Sequence, residues 1–309
     1  MKRIVLTGAT GFIGRQCLSL LAARDNEVHA VSIDVPQQNP TGIHWHQVDL
    51  LEAEQAKNLM ATIRPSHLLH FAWYTIPGLY WTSLENIRWV QASLDLLQAF
   101  ASNGGERVVI AGTCAEYDWN YGFCSERITP LAPATLYGTC KHALQTMLRA
   151  FAGQTNLSTA WGRIFFLYGP HEHPDRLVPS VIRSLLRGEP AFCSHGHQIR
   201  DLLHVEDVAD AFVALLESNV TGPVNIASGQ PVSIRDVIYM IAAEFNREDL
   251  IQLGALPTPH NDPPLLVADV RRLRHEVGWA PRYDLETGLK QTIEWWDQQP
   301  RSPGPIMQR

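Results

Sequence analysis

Two stretches of the chain carry side chains suited to moving protons. The first is "GTCAEYD", residues 112–118, where a threonine, a cysteine, a glutamate and a tyrosine follow the apolar run "RVVIA". A thiolate at Cys114 would be the strongest nucleophile of the four, but no sequence neighbour would activate it. The second is "LYGTCKHALQTMLRAF", in which Tyr137 and Lys141 stand four residues apart at the start of an apolar-periodic helix. That spacing puts both on one helix face, where an ammonium can stabilise a phenolate. An unperturbed tyrosine titrates at about 10, and lowering that by about three units takes roughly 4 kcal/mol of differential stabilisation. Tyr137 would then exchange a proton near neutral pH.

A third feature supplies a partner for such chemistry. "LTGATGFIG" sets Gly8, Gly11 and Gly14, with Phe12 and Ile13, between a first strand and a first helix. Glycines there allow a tight turn and close approach of backbone to a pyrophosphate, which the helix N-terminus then faces. The spacing G-x-x-G-x-x-G departs from the G-x-G-x-x-G fingerprint, but its position after a strand and before a helix points to a dinucleotide. The second strand, "EVHAVSI", ends near Ser32, where an NAD-preferring fold often has an acid for the ribose 2′-hydroxyl. Ser32 tolerates a 2′-phosphate and Arg15 offers it a cation, so NADP(H) is expected, with NAD(H) and Asp34 the alternative. An oxidised nicotinamide close by would add to the charge that Lys141 places beside Tyr137.

The elements that position these residues follow from the apolar pattern. "RIVLTG", "EVHAVSI", "SHLLHFAW", "RVVIAGT" and "STAWGRIFFLYGP" read as short buried strands separated by longer helical patterns. Strands and helices in alternation predict an α/β fold, a Rossmann-type doubly wound parallel sheet. After Pro170 the elements shorten, so residues 1–167 are expected to form the dinucleotide-binding domain, with 200–227 returning to it. Residues 168–309 would be mostly a smaller mixed α/β C-terminal substrate lobe. The terminal "QQPRSPGPIMQR" is expected to fray.

Composition narrows the class. The 309 residues, 45% hydrophobic and 18% charged, are ordinary for a globular protein, and the formal charge of −6 gives no global reason to bind nucleic acid or anionic membrane. Five cysteines show neither metal-site spacing nor the density of a disulfide framework. No apolar run approaches a membrane span and "MKRIVLTGATG" has no cleavage region, so a cytoplasmic protein is expected. The pairs His171/His173 and His195/His197 have no acidic or cysteine cluster at ligand spacing, so no metal is expected.

With the glycine turn and the tyrosine–lysine pair in order, the sequence resembles the extended short-chain dehydrogenase/reductase family. "TGATGFIG", "VDL" at 48–50, "LLHFAW", "GTCAEYD", "YGTCK", "GRIFFLYGP", "RDLLHVEDVADA" and "VADVRRLRHEVGWAPRYDLETGLKQTIEWW" carry the resemblance over nearly the whole chain. It implies a nicotinamide cofactor, a nucleotide-diphosphate sugar as substrate and a homodimer. It also implies catalytic roles for Thr113, Tyr137 and Lys141, adenine contacts at Asp49 and Leu50, and a cofactor-facing backbone at Ala72. Arg200 would hold the diphosphate, and the backbone of "RLVPSVI", with Arg176 and Val178, would touch the base. Trp73, Tyr74 and Trp81 would line the sugar pocket beside Thr113 and Cys114. Phe166 stands where the family commonly has asparagine.

In the family's sugar 4,6-dehydratases the two positions after the threonine are an Asp-Glu acid–base pair; here they are Cys114 and Ala115, and Glu116 is one residue too far on. "GTCAEY" most resembles the 4-keto-6-deoxyhexose reductase branch. Three activities remain: a 4-ketoreductase, an epimerase using tightly bound NAD, and a non-catalytic dinucleotide-sensing regulator. The intact Tyr137–Lys141 pair counts against the last.

Overall fold

The structure is a computed structural model of the chain and describes residues 1–36, 42–258 and 262–300. The C-terminal segment expected to fray lies, from residue 301 on, outside the described residues. Seven parallel strands form the main sheet. Five are β1 (Arg3–Thr7), β2 (Glu27–Ser32), β3 (Ile43–Gln47), β4 (His67–His70) and β5 (Arg107–Thr113), and the others are Ser158–Ile164 and Gly222–Ile226. From one edge their order is 222–226, 158–164, β5, β4, β1, β2, β3. The order reverses between β1 and β4, and in such sheets ligands bind outside the strands' carboxyl ends at that reversal.

Both faces of this sheet are covered, which is why its strands read as near-continuous apolar runs. All seven residues of β5 are buried. Alternation along β1 separates the two cores. Ile4 and Leu6 pack with Cys17, Leu18 and Leu21 of α1 (Gly14–Ala22) on one side, and Val5 packs with residues of the opposite layer. The buried positions 14, 17, 18 and 21 of α1 recur at helical spacing, as a one-sided helix requires. The opposite layer consists of α2 (Ala53–Ile63), α3 (Glu85–Ser102) and α4 (Leu136–Ala152), through Leu59, Leu96 and Leu144 among others.

The glycine turn joins β1 to α1. Gly8 has φ +67°, and a side chain there would lie 2.9 Å from the backbone nitrogen of Ala72, so only glycine lets the turn close against the end of β4.

Beyond residue 165 the chain builds a third core from α5 (Leu177–Leu186), α7 (Ile234–Phe245) and α8 (Leu285–Asp297). Between them α6 (Val205–Glu217) and strand 222–226 return to the main sheet. A smaller mixed sheet runs 231–233, 199–204, 265–268, 123–124, with 166–168 also paired to 199–204. Among the described residues no helix is long and apolar enough to cross a membrane.

Candidate active site

Thr113 ends β5 at the sheet's carboxyl edge, and a one-turn 3₁₀ helix, Cys114–Glu116, starts there. Its hydroxyl caps that turn, accepting from the Ala115 amide at 3.2 Å. Glu116 closes the reciprocal half of a capping box by accepting from the Thr113 amide at 2.9 Å. The Glu116 carboxylate is fully buried, pairs with Arg163 at 2.7 Å and accepts from the Trp161 indole at 2.8 Å. Glu116 is therefore a structural anchor that fixes the end of β5. Nothing in the local sequence marks Trp161 and Arg163 as its partners, because they come from the neighbouring strand, 45 and 47 residues away.

α4 brings Tyr137 and Lys141 to the same place. Thr135 caps its first turn, accepting from the Gly138 amide at 3.1 Å. A side chain at Gly138 would lie 2.4 Å from the Ala115 carbonyl, so this glycine lets α4 approach the turn after Thr113. The Tyr137 phenol lies beside the Thr113 side chain, which acts to lower its pKa. Tyr80 and Trp81 stand edge-on to its ring, with centroids 4.9 and 5.7 Å away. Trp119 donates to the Cys114 carbonyl at 2.9 Å and lies 6.2 Å from Trp81, completing an aromatic wall. Of these only Trp81 was expected from the sequence.

From the protein atoms alone, burial pushes the Tyr137 phenol above its ordinary range, and Thr113 only partly opposes it. Lys141 does not hydrogen-bond the phenol. Its ammonium donates to the Ala111 carbonyl at 2.9 Å and sits 3.7 Å from the centre of the Trp73 ring. Burial brings Lys141 down to about 7, against the attraction of Glu116. The helix spacing was legible, but the direction of the Tyr137 shift depends on surroundings supplied by other elements.

Beneath the site runs a buried polar chain. Thr7 at the end of β1 meets His70 Nδ1 at 2.7 Å, and His70 Nε2 meets Ser93 of α3 at 3.0 Å. Burial takes His70 down to about 3, and it lowers His67 and His204 to about 4. An unfolded histidine titrates at about 6.5, so between that pH and 4 the unfolded chain takes up protons that the folded one refuses. These groups support the fold above about pH 6.5 and withdraw that support as pH falls. Glu172, which burial raises to about 8, contributes with the opposite sign as pH falls from 8 to 4.5, so the histidine contribution is read by difference: between pH 6.5 and 4 the unfolding midpoint of His70→Asn should fall less than that of the unmutated chain. Equal slopes for the two proteins would refute this.

The other expected residues divide. Gly8, Gly11 and Gly14 form the turn against Ala72, whose amide donates to the Thr7 hydroxyl at 3.3 Å, while Phe12 and Ile13 are half-buried. Ser32 reaches the same turn, hydrogen-bonding the Thr10 hydroxyl at 2.8 Å. Asp49 caps its own turn through Leu51 at 2.9 Å, and Leu50 is core. Val178 is also core, and Tyr74 packs half-buried on the core beneath α2, α3 and α4. Arg176 lies over Tyr80, 5.5 Å from its ring centre. Burial holds the Cys114 thiol well above its usual range, which fits a filler and not a nucleophile.

Two expectations, for Arg15 and Trp73, are corrected, and Arg200 already has a partner. Arg15 is not aimed at Ser32: its guanidinium donates to the Thr10 carbonyl at 2.6 Å and meets His171 at 2.6 Å. Arg200 is paired with Asp262, and Phe166 packs under it at 5.2 Å. Trp73 is not an open pocket wall, since it is buried with its indole N–H bound to Asn86 at 2.8 Å and its face against Lys141. Among the described residues no group of three or more histidine, cysteine or acidic side chains is placed to hold a metal.

Comparison with known proteins agrees with this geometry. UDP-glucuronic acid decarboxylase 1 of Danio rerio is 25% identical over 316 residues, covering 96% of this chain and 73% of that protein. The structure of MoeE5 in complex with UDP-glucose and NAD is 30% identical, with a TM-score of 0.81 over 95% of this chain and 98% of that one. The UDP-glucose 4-epimerase of Thermus thermophilus, solved with NAD, is 25% identical with a TM-score of 0.83 over 96% and 99% of the two chains. The model of the NAD dependent epimerase/dehydratase family matches residues 4–227, from the first residues of β1 past the last strand of the main sheet. The glycine turn, the Thr113 edge and the Tyr137–Lys141 helix all fall within that span, and the chain belongs to the NAD dependent epimerase/dehydratase family.

Proposed function

We propose that the chain reduces the 4-keto group of a nucleotide-linked 6-deoxysugar, using a nicotinamide dinucleotide. The observation that carries this reading is the packing of α4, with Tyr137 and Lys141, against the turn after Thr113 at the carboxyl edge of the sheet, where Cys114 and Ala115 stand in place of an acid–base pair. The Gly8 cradle against Ala72, which any side chain would fill, fits a pyrophosphate. The dinucleotide, when bound, supplies the hydride. Thr113 and Tyr137 orient the sugar oxygen, and Tyr137, kept as a phenol by burial, gives it a proton. The Lys141 ammonium, one turn along α4, steadies the phenolate that remains. Arg200 would exchange Asp262 for the diphosphate.

For the cofactor we favour NAD(H) over the NADP(H) expected from Ser32. Arg15 is committed to Thr10 and His171, and relatives of known structure carry NAD. The epimerase is the second reading, favoured by the similarity to the Thermus thermophilus enzyme. The test is incubation with nucleotide-linked 4-keto-6-deoxyhexoses and NADH or NADPH in parallel. One reduced cofactor consumed per 6-deoxyhexose formed, at lower NADH than NADPH concentration, is expected. Interconversion of hydroxyl epimers with retained NAD and no net consumption would replace the reductase by the epimerase. Binding without turnover over the whole panel would favour the sensor.

A further inference from the structure

We propose that Trp73 is a positioning residue for Lys141: its indole face and the Ala111 carbonyl together hold the ammonium in one place, a helical turn from Tyr137. The inference rests on the reading of Lys141 as the partner of Tyr137 given above. A lysine side chain has four rotatable bonds, and its ammonium carries three N–H donors. Lys141 is 3% exposed, so bulk water has little access to those donors. Among the described residues, one carbonyl at 2.9 Å accepts from Nζ, and no carboxylate hydrogen-bonds it. What lies on the other side is the tryptophan ring, 3.7 Å from Nζ to centroid. Indole offers a cation the most negative face of the natural aromatics, and the attraction grows when both groups are out of water.

The ring is itself fixed. Its N–H donates to the Asn86 side-chain oxygen at 2.8 Å, and the Asn86 amide donates to the carbonyls of Tyr80 at 2.7 Å and Ser83 at 2.8 Å. Asn86 is fully buried at the start of α3. Loop 80–83 thus sets the ring plane, and the ring plane sets the ammonium. The same loop presents Tyr80 and Trp81 to the Tyr137 ring, so one segment aligns both partners of the pair.

The titratable groups around Lys141 are few. Glu116, on the turn after β5, attracts the ammonium; His70, at the end of β4, is held neutral by burial; Tyr137 is on Lys141's own helix. None of these hydrogen-bonds Nζ among the described contacts. Leucine at position 73 stays apolar and removes the π-face, but it is smaller and leaves the Asn86 oxygen without its donor, whereas phenylalanine keeps an aromatic face.

The chain has four lysines, Lys2, Lys57, Lys141 and Lys290, so Lys141 can be followed by NMR in full-length protein with isotopically labelled lysine. The signal missing from Lys141→Met assigns it. In Trp73→Leu the Lys141 midpoint should fall by about one pH unit, because the ammonium loses the indole face, and in Trp73→Phe by less. In the turnover assay the pH dependence of the cofactor KM should move the same way, by more than kcat at its plateau. An unchanged Lys141 midpoint in folded Trp73→Leu overturns the proposal. Should that variant not fold, Trp73→Phe decides: a lowered midpoint supports the role and an unchanged one overturns it. The titration needs neither cofactor nor substrate. A shifted midpoint in a protein with no turnover would therefore count against the reductase and leave the Trp73–Lys141 contact standing.

Discussion

Tyr137→Phe is expected to lower turnover roughly a thousandfold while leaving cofactor affinity nearly unchanged, the loss typical of a removed general acid. The substitution deletes one oxygen. The ring remains, with Tyr80 and Trp81 edge-on to it, and so does the capped first turn of α4. The Lys141 ammonium keeps its Ala111 and Trp73 partners, since neither contact involves the phenol. The loss should therefore appear in kcat and kcat/KM together, the signature of an interaction made in the transition state. Steady-state kinetics with a 4-keto-6-deoxyhexose nucleotide, alongside cofactor titration, make the check. Turnover within a few-fold of the unmutated chain would remove Tyr137 from the mechanism.

Glu116→Ala is expected to cost about 3–5 kcal/mol of stability, because removing one partner of a buried ion pair strands the other. Arg163 is 1% exposed and would be left as a buried cation. The Trp161 indole and the Thr113 amide would lose their acceptor in the same step. For a chain of this size such a loss lowers the unfolding midpoint by on the order of 10 °C. Glu116→Gln keeps an acceptor oxygen and the volume, and should fall between. Calorimetry on the three proteins orders them, and equal midpoints for Glu116→Ala and the unmutated chain would show that the network carries no stability. Because the carboxylate also fixes the end of β5, the surviving fraction of Glu116→Ala should turn over slowly through a misplaced Thr113 hydroxyl.

The sequence by itself determined the parallel sheet, the glycine turn and the shared face of Tyr137 and Lys141. These are local properties. Short apolar strands between helices imply a sheet buried on both sides, a glycine at positive φ is dictated by its own turn, and a four-residue spacing fixes a helix face whatever surrounds it. The sequence also ruled out an acid–base pair after Thr113, since that depends only on which residues are present.

What surrounds those residues was decided by the tertiary structure. Glu116 sits three residues from Thr113, yet its role comes from Trp161 and Arg163 on the neighbouring strand. Arg15, one residue past Gly14, was positioned to serve Ser32 and instead reaches His171, 156 residues away. Trp73 read as a pocket aromatic and is instead the floor under an ammonium from α4. Arg200 faces Asp262 across 62 residues of chain. In each case the decisive term is a charge or a donor withdrawn from water, whose cost must be met by whatever the fold brings within about 3 to 4 Å. That partner is set by packing, and no spacing along the chain encodes it.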